Sequence, residues 1–115
     1  MQRNIRDLIG TVAASGSLLT VTASDAAATI AATPAVGPAP LSVTFTGDSG
    51  GAAFFGGIQI DFGDGSVEDF CRPGRACRDK FAVHVYSNPG SFSVRLVGHG
   101  EGTRLVLATV VVQVG

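Results

Sequence analysis

Asp61-Phe62-Gly63-Asp64-Gly65 is the stretch that decides the fold, and His84-Val85-Tyr86-Ser87-Asn88-Pro89-Gly90-Ser91-Phe92 follows it downstream. The first stretch is a turn signature. Gly63 and Gly65 accept positive φ, and the short Asp64 side chain folds its carboxylate onto nearby backbone N–H groups. Ile58, Ile60 and Phe62 alternate on the way into the turn, which is the period of a strand.

The same period recurs on both sides. Leu41, Val43 and Phe45 face one way, and Ser42, Thr44 and Thr46 the other. Thr29 to Thr33 reads as a strand stopped by Pro34 and the Gly37-Pro38-Ala39-Pro40 break. Gly47 to Gly57 reads as a loop with Phe54-Phe55 near its far end. Ser66 to Phe70 leads into a loop between two cysteines. Phe81, Val83 and Val85 alternate, as do Phe92, Val94 and Leu96. His99 falls in Gly98-His99-Gly100-Glu101-Gly102, read as a hairpin loop. Arg104 to Val114 closes the chain as a strand that is apolar on both faces. Leu105, Leu107 and Val111 lie on one; Val106, Ala108, Val110, Val112 and Val114 lie on the other. One face belongs to the core, and the other needs cover from within the chain or from a partner. About seven short strands separated by turn signals predict an all-β, two-sheet sandwich.

A chain of 115 residues has room for one such core. The composition, 45% apolar and 15% charged, is that of a globular chain rather than a disordered one. A net charge of -1 gives no global field to recruit nucleic acid or an acidic membrane. No apolar run reaches the ~18 residues of a membrane span.

Residues 1–28 read as an N-terminal arm and residues 29–115 as the domain. Ile5, Leu8, Ile9 and Val12 form one apolar stripe at helical spacing, and Ser15-Gly16-Ser17 ends it. Leu18 to Ala23 then alternates as a short strand. The competing reading is a secretory signal peptide, with Arg3 and Arg6 before an apolar stretch and Ala26-Ala27-Ala28 as the cleavage site. Asp7 beside that stretch, and the Gly, Ser and Thr residues within it, favour a retained arm.

Cys71 and Cys77, with five residues between them, are expected to pair. Closing so small a loop is worth roughly 2 kcal/mol in chain entropy. The alternative is two free thiols in a hairpin loop. Zinc is disfavoured, because two Cys and two distant His lack paired ligand spacing.

No residue is assigned a catalytic role and no cofactor is expected. Asp61 and Asp64 are read as backbone caps rather than an acid–base pair. A Ca²⁺ site with Asp48 or Asp69 is the lesser reading, because no EF-hand spacing exists. His84 and Tyr86 share a strand face and are read as a structural pair bonding turn backbone, around Asp64. Arg72, Arg75, Arg78 and Lys80 put half of the eight basic residues on one loop, a candidate grip for an acidic partner surface.

In order along the chain, Pro40-Leu41-Ser42-Val43-Thr44-Phe45-Thr46, Ile60-Asp61-Phe62-Gly63-Asp64-Gly65-Ser66, His84-Val85-Tyr86, Pro89 to Leu96 and Thr109 to Val114 resemble the PKD (polycystic kidney disease) domain family. The resemblance covers residues 29–115 and implies an immunoglobulin-like β-sandwich. It also implies a role in adhesion, spacing or assembly, without enzyme activity. One departure is Ile60, where the family usually carries Trp, so Phe54 or Phe55 is expected to fill part of that space. The cysteine loop is an elaboration on the family pattern.

The expected function is structural: a decoration or other surface protein of a bacteriophage virion or similar assembly, present in multiple copies. Its partners would be other protein subunits of a capsid, tail or surface layer. The candidate partner-binding residues are Ile5, Leu8, Ile9, Val12, Val110, Val112, Val114, Arg72 and Arg75. The alternative is a secreted or cell-surface adhesion or spacer domain whose residues 1–28 are removed. A carbohydrate-binding module is a weaker third reading, because the aromatics are mostly claimed by the core.

Overall fold

The computed structural model describes residues 27–115, and the arm stripe Ile5, Leu8, Ile9 and Val12 lies outside them. Eight strands follow in chain order: β1 (Thr29–Thr33), β2 (Val36–Gly37), β3 (Leu41–Asp48), β4 (Ile58–Asp61), β5 (Val67–Cys71), β6 (Lys80–Tyr86), β7 (Gly90–Gly100) and β8 (Thr103–Val114). They form two sheets, ordered β1-β3-β6 and β2-β8-β7-β4-β5. This is the all-β immunoglobulin-like sandwich.

The inner faces follow the alternation. Val43 and Phe45 on β3, Ile58 and Ile60 on β4, and Val94 and Leu96 on β7 are fully buried. Phe70, Val112 and Val114 complete the core. β1 pairs antiparallel with β3, and after Pro34 the chain changes sheets. There β2 pairs parallel with β8, Val36 opposite Gln113. This two-residue strand, hidden between prolines, accounts for the eighth element.

β8 corrects the sequence reading in two ways. A register shift interrupts the β7–β8 ladder: Leu96 faces Ala108, but Val97 faces Val106. Leu107 is the extra residue, so Leu105 pairs with Gly98 and no longer shares a face with Val111. Furthermore, Val112 and Val114 are core residues and Val110 packs against the core. β8 runs between β2 and β7, and the inner face of its C-terminal part packs into the core. Val112 and Val114, expected as partner contacts, are therefore buried in the domain, and Val110 is half-buried against it. The exposed apolar residues of β8 are Leu105, Val106 and Val111.

His99 is also relocated. β7 continues through it to Gly100, and His99 pairs with Arg104, leaving Glu101-Gly102 as the turn. The His99 N–H donates to the Gly57 carbonyl at 2.9 Å, and its carbonyl accepts from Gly56 N–H at 2.7 Å. Of the two loop phenylalanines, Phe54 packs against the core beneath Gly98, where any β-carbon would meet its ring at 2.5 Å. Phe55 faces solvent.

Candidate functional site

The Asp61–Ser66 turn is built by its own carboxylates. Asp61 Oδ1 accepts from the Gly63 N–H at 2.9 Å, and Asp64 Oδ1 accepts from the Ser66 N–H at 3.0 Å. The Phe62 N–H closes the turn on the Ser66 carbonyl at 3.0 Å. Gly63 and Gly65 have φ of 82° and 96°, the left-handed region where a side chain is strained. Gly63 also lies against β7: a β-carbon there would sit 2.5 Å from the Ser93 carbonyl oxygen.

The opposite sheet reaches this turn through β6. His84 Nε2 lies 2.7 Å from Asp64 Oδ2. An ionised carboxylate only accepts, so Nε2 carries the proton and donates it. The imidazole stacks on Phe62 with ring centroids 4.1 Å apart and an interplanar angle of 5°. Tyr86 meets the edge of the same imidazole at 4.8 Å and donates its hydroxyl to the Phe62 carbonyl at 2.8 Å. All six residues of the predicted turn motif, Asp61, Gly63, Asp64, Gly65, His84 and Tyr86, thus meet around Phe62 and link the two sheets.

The electrostatics fit a structural role. Burial pushes the Asp64 carboxyl up, but the hydrogen bonds from His84 and Ser66 and the charge of His84 outweigh it, so the carboxyl titrates below its ordinary range. Burial, then the charges of Asp64 and Asp61, raise the Tyr86 phenol well above its ordinary value. Each polar group is occupied by backbone or by its neighbour. The imidazole is clamped between Phe62 and Tyr86, the Tyr86 hydroxyl is bound to a carbonyl, and neither cysteine is a free thiol.

Two further carboxylates are also engaged locally. Asp48 Oδ1 accepts from the Gly50 N–H at 2.7 Å, and Asp69 Oδ1 accepts from the Gln59 side chain at 3.3 Å. Arg104 lies 3.8 Å from Asp61. Among the described residues no three His, Cys, Asp or Glu side chains gather as a metal site, and no helix is long and apolar enough to cross a membrane.

The sequence model of the PKD domain matches residues 27–114. The chain belongs to the PKD domain family. No curated protein matches it. PKD domains are generally non-catalytic modules of extracellular and adhesion type, and this PKD domain carries the disulfide that suits such a setting. Cys71 and Cys77 are bonded within one chain, with Cα atoms 5.6 Å apart. The loop they close exposes Arg72 and Arg75, and Arg78 is exposed just after it. Its base is held by Ser49, which is buried. The Ser49 hydroxyl accepts from the Cys77 N–H at 3.1 Å, and its own N–H donates to the Cys77 carbonyl at 2.9 Å.

One surface was missed in the sequence. With His84 and Tyr86 turned inward, the alternating set Phe81, Val83 and Val85 of β6 faces outward, 69%, 59% and 51% exposed. Across the β3 ladder, Thr46, Thr44 and Ser42 stand opposite them. The signal was present: a strand with apolar residues on both faces has one face to spare.

Proposed function

We propose that this chain is a non-catalytic assembly module, a PKD domain that joins other protein subunits at the surface of a larger particle. A bacteriophage virion is the concrete setting, with the protein present in many copies. The apolar stripe Ile5, Leu8, Ile9 and Val12 of the arm supplies the anchor. The observation that carries the reading is the outward row Phe81, Val83 and Val85: three adjacent large apolar side chains in solvent mark a contact surface more often than an idle one. The exposed Arg72 and Arg75 offer a further polar contact in the same reading.

The test is intact mass from the native source, followed by particle co-sedimentation of the full chain. Ile5→Asp with Ile9→Asp should leave a folded domain that no longer sediments with the particle. A mature chain lacking residues 1–28, or a protein that sediments alone at source, overturns the reading.

The disulfide favours a second reading, an exported adhesion or spacer domain with residues 1–28 removed as a signal. The same mass measurement separates the two.

A further inference from the structure

β6 is an edge strand of the β1-β3-β6 sheet, and among the described residues nothing pairs with its free side. Edge strands are normally blunted by proline, a bulge or a central charge. β6 has none of these; its only charge besides the His84–Asp64 pair is Lys80, at its start. It also carries the exposed row Phe81, Val83 and Val85. An open backbone edge and an apolar row therefore run along one strand, which favours pairing by a strand whose own outward residues are apolar.

We infer that the free edge of β6 is paired by residues Leu18–Ala23 of the same chain, running antiparallel to it as a fourth strand. This inference rests on the reading that the arm is retained. Three observations select this occupant. The first is pattern. Leu19, Val21 and Ala23 alternate with Thr20 and Thr22, so an antiparallel register places Leu19 beside Val85, Val21 beside Val83 and Ala23 beside Phe81. The second is where the described chain begins. Thr29 pairs with Asp48, one step beyond the Gly47–Lys80 pair, so the chain enters at the β6 start. The third is reach. Three strand spacings of about 4.8 Å and two residues of strand rise separate Ala23 from Thr29 by about 16 Å. Six Cα steps cover at most about 20 Å, so the connection closes.

The other edge of this sheet is a poorer site. Thr29, Ala31 and Thr33 of β1 are the neighbours of Asp48, Thr46 and Thr44 on the outer face, and they offer little apolar surface. β1 is also flanked by β8, because the chain changes sheets there. Docking along β6 has a consequence for assembly. It carries residues 1–17 to the Tyr86 end of the domain, opposite the end where Ala27 enters, and so sets the direction in which the anchor projects.

The test is amide exchange of the full chain, with Leu19→Asp plus Val21→Asp as the comparison. Alternate N–H groups of β6 point to the free edge, and their exchange in the Lys80–Tyr86 segment should be at least about ten-fold slower in the unchanged chain. Exchange in the central strand β7 should be equal in both and controls for folding. Equal exchange of β6 overturns the inference, as does protection gained at Thr29–Thr33 instead. Protection that depends on protein concentration also overturns it, since the strand would then come from a second copy. A β6 edge left unprotected in the unchanged chain, with particle binding intact, would sink this inference alone. A source protein lacking residues 1–28 would sink both it and the anchor.

Discussion

Tyr86 on β6 donates its hydroxyl to the main-chain carbonyl of Phe62, just past the end of β4, at 2.8 Å across the sandwich. The two residues belong to opposite sheets, so this bond fixes the spacing of the layers where the Asp64 turn begins. Tyr86 is 1% exposed, so without it no water replaces the donor freely. Tyr86→Phe should keep the packing and cost about 1–2 kcal/mol in urea unfolding. The variant also tests the ionisation. The folded phenol titrates above its unfolded value, so its contribution is complete below about pH 10 and lost as pH rises through the folded value. The stability gap between the natural chain and Tyr86→Phe should therefore narrow above about pH 10. A constant gap would show that the phenol ionises equally in both states.

The Asp64–His84 pair predicts the opposite limb. Asp64 is held below its ordinary range, so its stabilising effect is fully present above the unfolded carboxyl value of about 3.9. It is lost as pH falls from there through the folded value. Asp64→Asn should lower the melting temperature at neutral pH and flatten the acid limb, and the two proteins should converge once the pH has fallen through the folded value. Parallel melting curves across that range would remove Asp64 from the acid response.

These residues were legible because each obeys a local rule. Alternation placed Val43, Phe45, Ile58 and Ile60 in the core, and Gly63 and Gly65 marked the turn. Elsewhere period 2 carries no sign. In β6 both faces are apolar or aromatic, and only the long-range Tyr86 and His84 contacts choose which points inward. In β8 the same ambiguity hides the register shift at Leu107, and only long-range packing against the core decides that Val112 and Val114 are buried. β2 was lost because two residues between Pro34 and Pro38 are too few to show a period.

Gly63 and Gly65 separate two kinds of constraint. Both have positive φ, but a β-carbon on Gly63 would also strike the Ser93 carbonyl oxygen at 2.5 Å, whereas one on Gly65 has nothing within 4 Å. Gly65→Ala should cost about 1 kcal/mol, from backbone strain alone. Gly63→Ala should cost at least about 2–3 kcal/mol, since the obstacle is the backbone of β7 rather than a flexible side chain. Chemical denaturation of the two variants gives the comparison. Equal losses would mean that β7 yields at Ser93 without penalty.

The disulfide is best tested by reduction rather than replacement. Cys71 is itself a core residue, 3% exposed, so Cys71→Ala would remove packing together with the crosslink. Reduction leaves both sulfurs in place and frees only the loop constraint. For so short a loop the loss should be about 2 kcal/mol, seen as a lower urea midpoint with a reductant present. The Ser49 bonds to Cys77 hold the same loop at its base, so the reduced protein should still fold. Ser49→Ala isolates that support. It should cost about 1 kcal/mol in the oxidised protein and more in the reduced one, because the crosslink no longer restrains the Cys77 backbone. An identical cost in both states would show that the Ser49 bonds and the disulfide stabilise the domain independently.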